Sequence, residues 1–194
     1  MAQVHSKQER KPLERFSKRQ FEKTREPKMK SLQENMLEYK KQLEKGIIQK
    51  AYQGLMEYML SLRNHFTINY PDFSPPGSIY YGYMDMTYFS IFPKSLKERD
   101  LKIAIVFLYD TFSFEIWLSG KNKQILSKYW QVFNKSNWDK YKIVEPVKGI
   151  DSIVEHILVD NPDFSDVDDL TKQIDKGTLI FIKDIEDFLS KTAT

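Results

Sequence analysis

The order of hydrophobic periods predicts an α+β fold. Two runs of helical spacing come first, a series of alternating or continuous apolar runs follows, and helical spacing returns at the end. That order implies an N-terminal helical hairpin, a small antiparallel sheet and C-terminal helices, in a single domain over residues 29–194.

The hairpin is expected over 31–67. Ser31-Leu32-Gln33-Glu34 has the form of a capping box, with Ser at the N-cap and Glu three residues on. Leu32, Met36, Tyr39 and Leu43 then recur at helical spacing. Gly46 stands where a left-handed cap ends the helix. Ile48, Tyr52, Leu55, Met59, Leu62 and Phe66 form the second stripe.

Pro71, Pro75 and Pro76 stop the helix. Ser78 to Phe92 is aromatic-rich and reads as a strand, with Gly82 at a bulge or close backbone approach and Pro93 at its end. Leu101 to Leu108 is apolar almost throughout, as expected of a central strand covered on both faces. After a turn at Tyr109-Asp110-Thr111, Phe112, Phe114, Ile116 and Leu118 alternate with Ser113, Glu115, Trp117 and Ser119. That is a half-buried antiparallel strand.

Gln124–Phe133 reads as a helix and Tyr141–Val144 as a short strand. Asp151 is placed to cap a helix carrying Ile153, Val154, Ile157 and Leu158. A long final helix carries Val167, Leu170, Ile174, Phe181, Ile185 and Phe188, with Gly177 at a kink. Asp166, Asp168 and Asp169 sit in its first turns, where negative charge favours the helix dipole.

Charge is uneven. The chain holds 30 basic and 27 acidic residues, a net of +3. Residues 1–30 carry ten basic and four acidic residues, so the remainder is net negative. Residues 1–28 are read as a basic, solvated arm or as a start-site extension before Met29, which a helix start signal follows at once. Residues 121–142 carry +5 and residues 145–194 carry −7.

Several chemistries are excluded by composition. The chain has no Cys, so it has no disulfides, thiolate metal sites or Cys nucleophile. With three His and no Gly-rich phosphate loop, GxGxxG, His-Glu-x-x-His or Gly-x-Ser-x-Gly, it lacks the familiar catalytic signatures. The acidic run 160–169 lacks the turn Gly of a calcium loop and is assigned to helix capping. No apolar run reaches membrane-spanning length. No metal or cofactor is expected, and catalysis is not.

Asp85 and Glu115 are the catalytic candidates, since each falls in a strand of one sheet. Restriction-type nucleases hold magnesium between an Asp and a Glu on adjacent strands and add a Lys two residues after the Glu. Here Trp117 stands where that Lys is needed. The ordinary reading is a solvent-facing Glu115 and a turn residue Asp85. The binding candidates are Lys121, Lys123, Lys128, Trp130, Trp138 and Lys140, since cations interleaved with aromatics suit phosphates and stacked bases. The ordinary reading sends the rings to the core and leaves the lysines in water. His65 and His156 are read as structural or surface residues. Tyr80, Tyr81, Tyr83, Tyr88 and Trp117 suit either an aromatic pocket or a Tyr-rich core.

Residues 30–190 resemble an uncharacterised prokaryotic family, a domain of unknown function. The resemblance rests on Lys50-Ala51-Tyr52-Gln53-Gly54-Leu55-Met56-Glu57-Tyr58-Met59, on the segment from Gly77 to Phe89 and on Leu101-Lys102-Ile103-Ala104-Ile105-Val106-Phe107. It continues in Phe114-Glu115-Ile116-Trp117-Leu118 and in the segment from His156 to Phe164. It implies a cytoplasmic protein of a bacterium or archaeon and brings no activity or ligand. The leading expectation is a non-catalytic binding or interaction domain with a protein or nucleic-acid partner and no membrane. The alternatives are a nucleic-acid binder using 121–142 and a divergent or degenerate metal-dependent nuclease.

Overall fold

Ser31 does cap the first helix: its hydroxyl accepts from Glu34 N at 3.2 Å while Glu34 Oε2 accepts from Ser31 N at 2.7 Å. The computed structural model describes residues 31–74, 76–136, 138–147 and 151–192. The basic arm expected over 1–28 lies outside them.

Helix α1 spans Leu32–Glu44 and α2 spans Ile47–Asn69, joined at Gly46 with φ of 69°. A left-handed residue is nearly free of strain when it lacks Cβ. No residue of α1 is buried, and Leu32 is 77% exposed. The apolar stripe of α2 is buried at Tyr58, Met59, Leu62 and Phe66.

Among the described residues six strands follow: β1 (Phe73–Ser74), β2 (Met86–Pro93), β3 (Leu101–Leu108), β4 (Ser113–Gly120), β5 (Lys142–Ile143) and β6 (Val154–Asp160). All pair antiparallel in the order β1-β2-β3-β4-β6-β5. A short helix α3 (Lys94–Lys97) links β2 to β3, α4 (Lys123–Lys135) follows β4, and α5 (Val167–Lys191) ends the chain.

The expected strand from Ser78 is shorter than its composition suggests. Strand β2 starts at Met86, and the preceding residues run back along its outer side, with Tyr80 bridged to Tyr88. The turn between them is tight: Gly82 has φ of 66°, and a Cβ there would lie 2.1 Å from Met86 O.

The helix expected after Asp151 is instead strand β6. Its apolar residues fall at 153, 154, 157 and 158, which is helical spacing. The run is β-branched, however, and the ladder to β4 shifts register between Phe114 and Glu115. That irregularity breaks the strand's period of two and mimics a period near four. His156 therefore sits on a strand. Helix α5 runs unbroken through Gly177, where a Cβ would stand 2.7 Å from Leu158 Cδ2 on β6.

The two sheet faces are unlike. On the first face Phe89, Ile91, Ile103, Ile105, Phe107, Phe114, Ile116 and Leu118 are fully buried. Every buried apolar helix residue joins this cluster, from α2, α3, α4 and α5. The second face carries a small cluster of Met86, Ala104, Val106 and Trp117, flanked by Tyr80, Tyr88 and Leu108. Strand β3 is thus buried on both faces. At about 25 cal/mol per Å² of apolar surface, the first face holds the domain together.

Candidate functional site

The two carboxylates singled out in the sequence are apart. Glu115 pairs with Val106 and, through it, with Tyr88. Asp85 precedes β2, and its carbonyl accepts from Tyr109 N at 3.2 Å. Tyr109 and Val106 are three residues apart on the β3 chain, about 10 Å, and an odd step reverses the face. Asp85 is buried, and its Oδ1 accepts from Tyr83 N at 2.8 Å, closing the turn. Glu115 Oε2 accepts from the Trp117 indole at 2.6 Å. Among the described residues no three His, Asp or Glu are grouped to hold a metal ion.

The 121–142 candidates divide in two. Trp138 stands edge-on to Phe133 and Phe188, at 5.2 and 4.8 Å between centroids, and Trp130 packs on the same core. Lys140 Nζ and the Tyr141 phenol donate to the two oxygens of Asp184 on α5, at 2.6 and 2.7 Å. Lys140 first, then Tyr141, holds the Asp184 carboxyl below its usual range. Burial, reinforced by Asp184, pushes the Tyr141 phenol up. Lys128 Nζ lies 5.4 Å from the Tyr129 ring. Lys121 and Lys123 go elsewhere, to the second sheet face.

There they line a hollow of about 270 Å³ with Tyr88, Lys102, Ala104, Trp117, Ser119, Gly120, Asn122, Leu126 and Asp151. The local sequence explains the hollow. Ala104 faces Trp117 across the β3–β4 ladder, and Lys102 faces Ser119. Small residues at Ala104, Ser119 and Gly120 leave space that the rings of Tyr88 and Trp117 wall. Gly120 cannot be larger, because a Cβ would lie 2.7 Å from Leu126 N in α4. Asn122 caps α4 by accepting from Ile125 N at 3.0 Å, which fixes the turn that carries Lys121 and Lys123. The Ser119 hydroxyl donates to Asp151 O and pins the far wall.

Among the described residues three lysines and one aspartate line this space. Lys121 Nζ is 3.2 Å from Asp100 Oδ1. Lys102 and Lys123 have no ion-pair partner among the described residues. The sequence reading overlooked Lys102, although it is the one charge in an otherwise apolar strand. The aromatic set divides: Tyr88 and Trp117 line the hollow, Tyr80 packs beside them, and Tyr81 and Tyr83 are exposed in the turn.

The acidic run 160–169 acts locally. Asp166 Oδ1 accepts from Asp169 N at 2.9 Å as the cap of α5, and Asp163 Oδ1 accepts from Ser165 N at 2.8 Å. Among the described residues no helix is long and apolar enough to cross a membrane.

The fold and the hollow define an α+β domain with one helix-packed sheet face and a cation-lined pocket on the other. The chain belongs to the family described as a domain of unknown function (DUF7000), whose sequence profile matches residues 32–189. No curated protein and no solved structure matches it.

Proposed function

We propose that this chain is a binding domain without catalysis of its own, and that its ligand seats in the hollow between β3, β4 and the start of α4. The observation that carries this reading is the hollow itself. It is a preformed concavity bordered by Tyr88, Trp117 and three lysines, of which Lys121 is paired with Asp100, and a concavity with a few polar groups is the ordinary setting of a ligand site. The separation of Asp85 from Glu115 supports binding over metal-dependent hydrolysis. The resemblance to prokaryotic proteins supports a cytoplasmic setting.

A fragment screen by saturation-transfer NMR tests the reading. The full chain should yield competing hits that disappear in Ala104→Leu, which fills the space with apolar volume. No hits, or hits that survive in a folded Ala104→Leu protein, would overturn it.

A second reading, nucleic-acid binding through 121–142, is favoured by one observation. Lys121 and Lys123 from that segment line the same hollow. Trp130 and Trp138 contribute to the core instead.

A further inference from the structure

We infer that this chain pairs with a second copy of itself through α1, with the two helices antiparallel about a two-fold axis level with the midpoint between Met36 and Tyr39. This goes beyond the binding reading above and does not depend on the hollow.

Helix α1 has an apolar side that is left open. Leu32, Met36, Tyr39 and Leu43 follow one another by four, three and four residues, which keeps them on one side of a helix. Yet α1 buries no residue. Leu32 is 77% exposed, Met36 50% and Tyr39 49%. Leu43, nearest the turn at Gly46, is half-buried. A helix of 13 residues is marginal by itself in water, and most helices in proteins gain their stability by packing an apolar face. The capping box and the Lys40–Glu44 pair at 3.9 Å support α1 locally, but neither covers the stripe.

The stripe matches itself. A two-fold dimer uses the same patch on both copies, so the patch must be self-complementary. The four-three-four spacing reads the same in both directions. Laid antiparallel, Leu32 of one copy meets Leu43 of the other, and Met36 meets Tyr39. Parallel helices would also give four apolar layers, so the stripe alone does not fix the direction.

Charge fixes it. Residues 32–38 hold Glu34 and Glu38 and no cation, a net of −2. Residues 39–45 hold Lys40, Lys41 and Lys45 against Glu44, a net of +2. The Lys40–Glu44 pair cancels within that count, which leaves Lys41 and Lys45. Antiparallel pairing sets the acidic half of one helix beside the basic half of the other and opposes the two helix dipoles. Parallel pairing sets like beside like. These charges flank the stripe or lie outside it, so they orient the pair and the apolar layers hold it.

The contact is small. At 1.5 Å per residue α1 is about 20 Å long, which places the interface at the low end of specific ones and its Kd on the order of micromolar or weaker.

Sedimentation velocity of the full chain over a range of concentrations tests this. Wild type should show a dimer that dissociates on dilution. Met36→Lys and Tyr39→Glu should each weaken it by about tenfold or more, because each sets a charge against an apolar residue of the other copy. An equimolar mixture of the two variants should dimerise again. In that mixture the introduced ammonium faces the introduced carboxylate across one layer, and a native Met36–Tyr39 contact fills the other. Leu37 lies about 100° round the helix from Met36 and outside the stripe, so Leu37→Ala should leave the dimer intact. Circular dichroism confirms that each variant is folded.

A monomer at every concentration would overturn the inference, and so would a dimer that persists in both folded single variants. Two monomeric variants whose mixture also stays monomeric would overturn the antiparallel pairing, since only that direction brings residue 36 of one copy to residue 39 of the other.

Discussion

The Tyr141 phenol donates a 2.7 Å hydrogen bond to Asp184, joining the segment before β5 to the middle of α5. Lys140 occupies the other carboxylate oxygen at 2.6 Å. The pair draws a stretch of basic and aromatic residues onto the helix layer, which the sequence alone offered as a binding surface.

Tyr141→Phe should cost about 1 kcal/mol at neutral pH, the net value of a typical hydrogen bond. Asp184→Asn should cost at least as much. The Asp184 carboxyl is held below its ordinary value of 3.8 when folded. Its contribution is therefore complete above that value and is lost as pH falls through the lower folded one. Urea midpoints of wild type and Asp184→Asn should converge on acidification. A constant difference from neutral to acid pH would show that the contact is not made in solution.

The buried phenols act at the opposite end of the pH scale. Burial raises Tyr58 and Tyr70 to about 12, and Asp175, which accepts from Tyr70 at 2.9 Å, adds to the shift of Tyr70. Raised folded values stabilise fully below the unfolded value near 10 and lose that contribution as pH rises toward 12. Part of the phenolate absorbance should therefore appear only together with loss of circular dichroism. Smooth titration of every tyrosine in a still-folded protein would contradict this.

Two glycines should respond with opposite sign. Nothing lies within 4 Å of a Cβ at Gly54, in the middle of α2. Gly54→Ala should raise stability by about 1 kcal/mol through helix propensity. Gly82→Ala puts a Cβ 2.1 Å from Met86 O at φ of 66° and should cost well over 1 kcal/mol, since the left-handed conformation alone costs about 1–2. Thermal denaturation of both variants reads the two signs.

Phe107 is fully buried and its ring lies within 5.3 Å of Tyr109, Phe112 and Phe114. Phe107→Ala should cost about 3–5 kcal/mol. Leu37 on α1 is 58% exposed, and Leu37→Ala should change stability by no more than about 0.5 kcal/mol. A large loss from Leu37→Ala would reveal a partner for α1, such as a second copy, and equilibrium sedimentation would then show it.

Asp85→Ala should destabilise by about 1–2 kcal/mol, because it strips the acceptor from Tyr83 N in a tight turn. It should change no nuclease activity, since the wild-type protein should not nick DNA or RNA with Mg²⁺ or Mn²⁺. Metal-dependent nicking that Asp85→Ala abolishes would replace the binding reading with the nuclease one.

Most elements were readable one at a time. The capping box at Ser31, the stop at Gly46, the continuous apolar run of β3 and the alternation of β4 each report on burial along their own axis. Strand β6 was not readable, because the register shift opposite Phe114 and Glu115 gave it a helix-like spacing. The site was half readable. Lys121 and Lys123 were visible as charges among aromatics, but Trp130 and Trp138 shared that pattern and go to the core. Lys102 gave a weak signal, a lone charge in an apolar strand.

The sequence by itself determined the α+β class, the order of most elements, the excluded chemistries and the uneven charge. Periodicity and capping are local, and they follow from side chains within a few residues of each other. Only the tertiary structure decided which carboxylates meet and which rings face a space. Those outcomes depend on cross-strand register and on backbone approach. The small residues opposite Trp117 and Lys102 make a hollow only because β3 and β4 pair in this register and α4 begins against Gly120.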